Sequence, residues 1–186
     1  NKQQLWNTLT LNAFVHHIKQ STEAETAFET LYTAHINSYV ISYLIWYACR
    51  AYGRIKRKHC EALKHATLEW HEDIIEQLHR MQAMLASQPQ DKMAIINHWL
   101  SDEIEIAHQM ECQLLQEAIQ KTKTIKRTSQ QQLVDACLNI VNFCKHTQHT
   151  ITDDSAQAIR TILEIIFDHC PTAEITTELQ RAMTQS

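Results

Sequence analysis

The chain has 186 residues, a formal net charge of −4 and an isoelectric point near 6.3. It contains one glycine and two prolines, where average usage would give about 13 and about 9. Folds made of many short strands or phosphate-binding loops need these residues at their turns, so β-sandwiches, Rossmann domains and P-loop domains are disfavoured. With 44% hydrophobic and 20% charged residues, the chain is predicted to be all-α, an antiparallel bundle of about seven helices.

Capping residues divide the apolar pattern of the chain into helices. Thr22 and Glu25 form a potential capping box at the start of the second helix. Asn37 is a candidate N-cap within that helix, and Gly53 is a candidate C-terminal cap. Pro89 separates the third helix from the fourth, and short connections make neighbouring helices antiparallel. The predicted helices span about 2–20, 22–52, 55–87, 92–119, 129–145 and 153–169, and a seventh opens at 171–172.

The third predicted helix has the clearest amphipathic pattern, with apolar residues recurring at spacings of three and four. The apolar stripe consists of Cys60, Leu63, Thr67, Trp70, Ile74, Leu78, Met81 and Leu85. The opposite face carries Glu69, Glu72, Glu76 and His79. We therefore expect this opposite face to be a solvated acidic surface.

The polar stretch between the fourth and fifth helices is the candidate domain boundary. We expect a main helical bundle over 1–120, a basic polar connection over 121–128, and C-terminal helices over 129–186. Leu133, Val141, Ile159 and Ile166 would be exposed if those C-terminal helices stood alone, so they are predicted to pack on the bundle.

Cysteine usage and polarity favour a cytoplasmic protein. The six cysteines form no CxxC pair, which favours reduced thiols over disulfides. The longest uncharged stretch, 30–49, contains His35, Asn37, Ser38 and Ser42, which disfavours insertion into a membrane. The chain begins at Asn1 rather than at Met, so a removed N-terminal segment stays an alternative.

Aromatic and apolar segments in the first two thirds of the chain carry a family resemblance. They are Trp6 with Leu9 and Leu11, His35-Ile36-Asn37 leading through Leu44 to Trp46, Ala51-Tyr52-Gly53-Arg54, Trp70 with Ile74, Ile75, Leu78 and Arg80, and Glu105 to Leu115. Residues 5–115 thereby resemble an uncharacterised, mainly gammaproteobacterial family of all-helical proteins. The resemblance implies a bacterial cytoplasmic protein with no assigned activity, and it supplies no catalytic residue. It departs at His35, near which a turn-permitting glycine is expected, and it does not extend beyond Lys121.

Two pairs with Glu-x-x-His spacing raise the alternative of a metal-dependent helical enzyme or sensor. Glu76 with His79, and Glu105 with His108, have the spacing used by di-iron carboxylate bundles. Such bundles need a further Glu-bearing helix between the two, and Pro89 interrupts the chain there. We therefore expect no metal site, no cofactor and no catalytic residue.

Partial matches to a hemerythrin-like site are also present. They are His65 with Glu69, His149 with Asp154, and His35. The His-x-x-x-His pair that such a site needs is missing from the sequence. This alternative is therefore weaker than the di-iron one.

The tyrosines concentrate in one segment of the second predicted helix. Tyr39, Tyr43 and Tyr47 follow one another at four-residue spacing, and Trp46 lies beside them. Tyrosine and tryptophan combine apolar area with a polar tip, which suits the surface that binds a partner. The alternative is that this is the central helix of the bundle and that these side chains form its core.

Basic residues form two clusters against an acidic background. Arg50, Arg54, Lys56, Arg57 and Lys58 contribute +5, and Lys121, Lys123, Lys126 and Arg127 contribute +4, which leaves −13 for the rest of the chain. Both clusters follow the C-terminal ends of helices that are predicted to run parallel. We therefore expect a basic pole at one end of the bundle. It would either complement helix dipoles or bind an acidic peptide, a phosphate-bearing ligand or a nucleic-acid backbone.

These observations together predict a non-enzymatic adaptor or assembly subunit in the bacterial cytoplasm. Its partner would be a helical or acidic segment of a larger complex, for example a bacterial secretion coupling complex. The predicted contact residues are Tyr39, Tyr43, Trp46, Tyr47, Arg50, Arg54, Arg57, Lys58, Lys123, Lys126 and Arg127. A metal-dependent enzyme and an anion-binding or nucleic-acid-binding protein are the alternatives, although the overall negative charge disfavours nucleic acid.

Overall fold

The computed structural model describes residues 5–118 and 122–185, and most of its helices pack around a shared hydrophobic core. The predicted all-α bundle is confirmed. A π-helical segment, Leu68–Ile75, joins the fourth α-helix to the fifth. The α-helices are α1 (Leu11–Lys19), α2 (Thr22–Thr33), α3 (Ser38–Cys49), α4 (Arg57–Thr67), α5 (Glu76–Ala86), α6 (Gln90–Ala118), α7 (Ser129–His146), α8 (Asp153–Ile166) and α9 (Thr172–Thr184).

Helix α3 is the centre of the fold. Every residue from Tyr39 to Cys49 is buried, and α1, α6 and α7 pack against this helix. The helix begins at Asn37, whose side-chain oxygen accepts hydrogen bonds from the backbone N–H groups of Tyr39 and Val40 at 2.9 and 3.3 Å. This is the N-cap expected from the sequence.

The C-terminal helices share the same core. Leu133, Val141, Ile159 and Ile166 are buried within it, α7 packs on α3, and α8 packs on α2. These helices therefore pack on the bundle. The boundaries at 120 and 129 stay a prediction.

Several helix ends use left-handed residues other than glycine. His35, Ala51 and Gln148 have φ values of 59°, 58° and 59°, in a region that costs about 1–2 kcal/mol for an L-residue with a Cβ atom. Gly53, with φ of 82°, lies beyond Ala51, which ends α3, so the prediction that Gly53 caps this helix is wrong. The glycine instead permits a close approach, since a Cβ atom there would lie 2.9 Å from Ile125 Cδ1.

Other predicted helix starts also shift. The first predicted helix is interrupted by a turn at 7–8, and Thr10 caps α1; residues 1–4 lie outside the described ranges. The box expected from Thr22 and Glu25 is wrong, because the N-cap position of α2 is Ser21, whose side chain makes no capping hydrogen bond. A capping box does form at Thr128, one residue before the predicted start of the helix at 129.

The π-helical segment changes the register of the third predicted helix. Its turns contain more residues than α-helical turns, so the apolar face rotates after Thr67. Ile75 is fully buried, whereas Ile74 is 41% exposed and Met81 is 46% exposed. The predicted stripe therefore holds up to Thr67 and is wrong at these two positions.

Candidate functional site

A helical hairpin is formed by α4, the π-helical segment, α5 and α6. It brings together the two histidines of the Glu-x-x-His pairs. Nε2 of His79 and Nε2 of His108 lie 3.5 Å apart. Their companion carboxylates point elsewhere, because Glu76 pairs with Arg80 at 3.6 Å and Glu105 with Lys19 at 3.8 Å. The four-residue site considered for a di-iron protein is thus not assembled. The prediction that His79 belongs to a solvated acidic face is wrong, since its ring lies against His108.

A carboxylate that the sequence analysis did not single out lies at the centre of this hairpin. Glu111 is fully buried. One of its oxygens is 2.7 Å from His71 Nδ1, the other is 3.2 Å from His108 Nδ1, and the amide of Asn37 donates to it at 3.0 Å. The buried charge is therefore stabilised from three elements: the π-helical segment, α6 and the N-cap of α3.

Charge and burial oppose each other in this cluster. Burial alone would raise the pKa of Glu111, but hydrogen bonds from His108 and His71 and their charges lower it to about 2. Burial likewise disfavours the charged form of His71, yet Glu111 raises the pKa of that imidazole. Burial and the neighbouring histidines lower the pKa of His79. The arrangement thus favours the ionised form of Glu111, the charged form of His71 and the neutral form of His79.

The π-helical segment positions His71. Such segments interrupt α-helices frequently at functional sites. Here the segment is held on α6 by Trp70, whose indole N–H donates to the carbonyl of Ala107 at 2.9 Å. Nothing in the residue pattern signals this segment, so neither His71 nor Glu111 was predicted from the sequence.

The three histidines open onto a cleft of about 570 Å³. Lys19, Glu29 and Tyr32 also line it. Tyr39 stacks on the ring of His108 with centroids 4.0 Å apart and planes 5° apart, and its hydroxyl accepts a hydrogen bond from Lys19 at 3.0 Å. The orientation of His108 is thus fixed on two sides, by Tyr39 and by Glu111.

The hemerythrin-like fragments do not assemble into one site. His65 is exposed on α4, Glu69 on the π-helical segment and Asp154 on α8, whereas His35 and His149 both line another cleft, beside His71. Within residues 5–118 and 122–185, no group of three or more His, Cys, Asp or Glu side chains is arranged to hold a metal ion. This sequence alternative is therefore not supported.

The aromatic residues predicted to bind a partner are instead core residues. Tyr39, Tyr43, Trp46 and Tyr47 have at most 5% of their surface exposed. Trp46 donates its indole N–H to the carbonyl of Leu9 at 2.9 Å. The prediction of a partner surface here is wrong, because α3 is enclosed by its neighbours; the alternative of a central helix is confirmed.

The two basic clusters do meet at one end of the bundle. The backbone N–H of Ile125 donates to the carbonyl of Ala51 at 2.8 Å, which brings the second cluster beside the first. Arg127 makes two hydrogen bonds of 2.9 Å to the buried Asp135, and Arg54 lies 3.5 Å from the same carboxylate. These two arginines thus have a structural role.

The remaining predicted basic residues differ in exposure. Arg50 is half-buried and stacks over the rings of Trp46 and Tyr52. The side chains of Arg57, Lys58, Lys123 and Lys126 are exposed. Lys121 lies outside the described residues. The basic pole is therefore formed by these exposed residues.

A further apolar surface lies on the outside of the hairpin. Ile95, Trp99, Ile106 and Met110 are between 43% and 85% exposed and follow one another at spacings of four, seven and four on α6. Met84 of α5 is 71% exposed. We call the four α6 residues the outer stripe.

The hairpin carrying this stripe extends beyond the core. In α5, all of which is described, no residue is buried, and in α6 burial starts at Leu100. Helix α5 packs on α6 and on the π-helical segment. The far part of the hairpin, residues 76–99, is thus held mainly by contacts within itself.

Comparison of the chain with protein-family models, with curated proteins and with solved structures gives no match. The resemblance to the gammaproteobacterial family stays a prediction. Of the helices within the described ranges, none combines the length and the apolar content needed to cross a bilayer.

Proposed function

We propose that this protein is a non-enzymatic adaptor or assembly subunit that binds a helix of a protein partner along the outer stripe. The observation that carries the proposal is the exposure of Ile95, Trp99 and Ile106 at 85%, 54% and 51%. Soluble monomers rarely leave contiguous large apolar side chains in water. A surface of this kind gains free energy when a partner covers it.

The spacing of the outer stripe supports a helical partner. Apolar residues at intervals of four and seven form a seam of the kind that pairs with the apolar seam of another helix. The seam is interrupted at Asp102, which is exposed and lies 3.5 Å from His98. A partner helix that packs here would place a polar or basic residue at that level.

Charge next to the stripe favours a particular partner composition. Asp102 and Glu105 are exposed on α6 beside the apolar residues. Opposite charges across an interface increase association rates and fix the register. The proposed partner is therefore an amphipathic helix with basic residues beside its apolar seam, such as a segment of a larger subunit in a bacterial secretion coupling complex.

Site-specific photocrosslinking in native cells tests this proposal. A photoreactive phenylalanine at position 95 should give an adduct of one defined mass with a different protein. The same residue at Gln180, which is exposed on α9, should give no such adduct. Trp99→Glu should abolish the adduct at position 95. Adducts only between two copies of this chain, or equal adducts at both positions, would contradict the adaptor function.

The basic pole supports a second candidate, an anion-binding protein. The pole has four exposed basic side chains, Arg57, Lys58, Lys123 and Lys126. The hydrogen bond between Ile125 and Ala51 holds the two segments that carry them together. Clustered cations attract phosphate-bearing ligands. Binding of a phosphopeptide or of an oligonucleotide should weaken steeply with added salt. The triple variant of Arg57, Lys58 and Lys126 to Glu should abolish it. Binding that is independent of salt or unchanged in this variant would argue against the candidate.

A further inference from the structure

Two ring nitrogens in the hairpin have the separation of ligands on a single metal ion. Nε2 of His79 and Nε2 of His108 are 3.5 Å apart, while their ring centroids are 5.7 Å apart, so the two nitrogen-bearing edges face each other. Imidazoles bind tetrahedral zinc at about 2.0–2.1 Å, which places two such nitrogens about 3.4 Å apart. The observed separation matches this geometry.

A direct hydrogen bond explains the pair less well. Hydrogen bonds between a ring N–H and an acceptor have lengths near 2.9–3.0 Å, and 3.5 Å is long by that standard. His108 already uses Nδ1 on Glu111 at 3.2 Å. In its neutral form this contact places the proton on Nδ1 and leaves a lone pair on Nε2, facing His79.

The surroundings of His108 resemble those of a metal ligand. A ligating histidine commonly donates its second ring N–H to a carboxylate, which fixes the tautomer and makes the ring a better ligand. Glu111 is that carboxylate, and Tyr39 fixes the ring plane by stacking at 4.0 Å. The ligand would thus be preorganised before an ion arrives.

We propose that His79 and His108 bind one divalent metal ion of the zinc class in this cleft. Since no third His, Cys, Asp or Glu of the described residues completes the set, water occupies the remaining positions, for which the cleft of about 570 Å³ has room. Structural zinc sites take four protein ligands, so this ion is exchangeable. The site is independent of the partner surface proposed above.

Zinc titration of chelator-treated protein by calorimetry tests the site. The experiment uses the full chain with Cys170→Ser, because Cys170 is the one cysteine that is not fully buried and lies 3.4 Å from His169 Nε2. We expect one zinc ion per chain and at least a tenfold weaker affinity in His79→Ala. His98→Ala is the matched control, since His98 is exposed on α6 outside the cleft, and it should leave the affinity unchanged.

The melting temperature is a second readout, and it also tests His108, the more buried of the two histidines. Zinc should raise the melting temperature of the parent protein and of His98→Ala, and should not raise that of His79→Ala or His108→Ala. His79 is half-buried, so its variant should fold and decides the outcome even if His108→Ala does not fold. Absence of saturable binding, or an affinity that is the same in His79→Ala as in the parent, would overturn the proposal.

Discussion

His71 and Glu111 face each other across the hairpin, with Nδ1 and Oε2 2.7 Å apart and the carboxylate completely buried. One member comes from a π-helical segment and the other from α6. The pair therefore ties the irregular part of the hairpin to the long helix behind it. Removing either partner would leave an uncompensated polar group in the interior.

Replacing Glu111 by Gln should destabilise the metal-free protein by about 3 kcal/mol, because breaking a buried pair from one side leaves the other charge unpaired. Urea unfolding at pH 7 in the presence of a chelator measures this. Glu105→Gln is the control, since Glu105 is half exposed, and it should change stability by less than about 0.5 kcal/mol. Equal effects of the two substitutions would contradict the structural role given to Glu111.

The same pair predicts how stability depends on pH. The lowered pKa of Glu111 contributes stability that is present above its ordinary value of 4.5 and is lost as the pH falls towards about 2. The raised pKa of His71 contributes stability that is present below 6.5 and is lost as the pH rises through its folded value. The pair therefore stabilises the fold most between these ordinary values.

Urea midpoints of the metal-free protein from pH 2 to pH 8 measure this dependence. The wild type should lose stability on both sides of that window. Glu111→Gln should show a flatter profile, because both shifts depend on the carboxylate. A profile of the variant that runs parallel to the wild-type profile would be inconsistent with the pair as described.

Ala51→Gly should stabilise the protein by about 0.5–1 kcal/mol. Ala51 has φ of 58° at the end of α3, where glycine avoids a left-handed penalty of about 1–2 kcal/mol and loses part of that gain in the unfolded chain. Ala94→Gly, at an exposed position in α6, should instead destabilise by about 1 kcal/mol. Urea midpoints that move in the same direction for both would argue against a strained Ala51.

Truncation of Leu100 should reduce stability far more than truncation of Ile95, although both residues lie in α6. Leu100→Ala should cost about 2–5 kcal/mol, since Leu100 is fully buried. Ile95→Ala should change stability by less than about 0.5 kcal/mol, because Ile95 is 85% exposed. Thermal unfolding measures both. A large loss at Ile95 in a concentration-dependent transition would show that a second copy covers the outer stripe.

Much of the helical framework follows from local signals in the sequence. Asn37 caps α3 as predicted, because an N-cap needs a side-chain oxygen two or three residues before the first free N–H groups. The helix ends were less predictable. With a single glycine in the chain, Ala51 and His35 adopt left-handed conformations that their residue types do not signal.

The candidate site was predicted only in part. The Glu-x-x-His spacing that contains His79 and His108 was visible in the sequence. The face of the helix on which His79 lies depended on the π-helical segment, because its extra residues rotate α5 relative to α4. Glu111 resembled any surface glutamate of an amphipathic helix. Its burial arises because two histidines and Asn37, distant in sequence, converge on it.

The sequence by itself determined the fold class and the grouping of basic residues at one end. For α3 it left two alternatives, a central helix and a partner surface. These properties depend on composition and on short-range periodicity, which act within a few turns of helix. The tertiary structure alone decided that Tyr43 is core and Ile95 is surface, and that Glu111 meets His71. Such distinctions depend on which helix covers which face, and that is set by the packing of the whole chain.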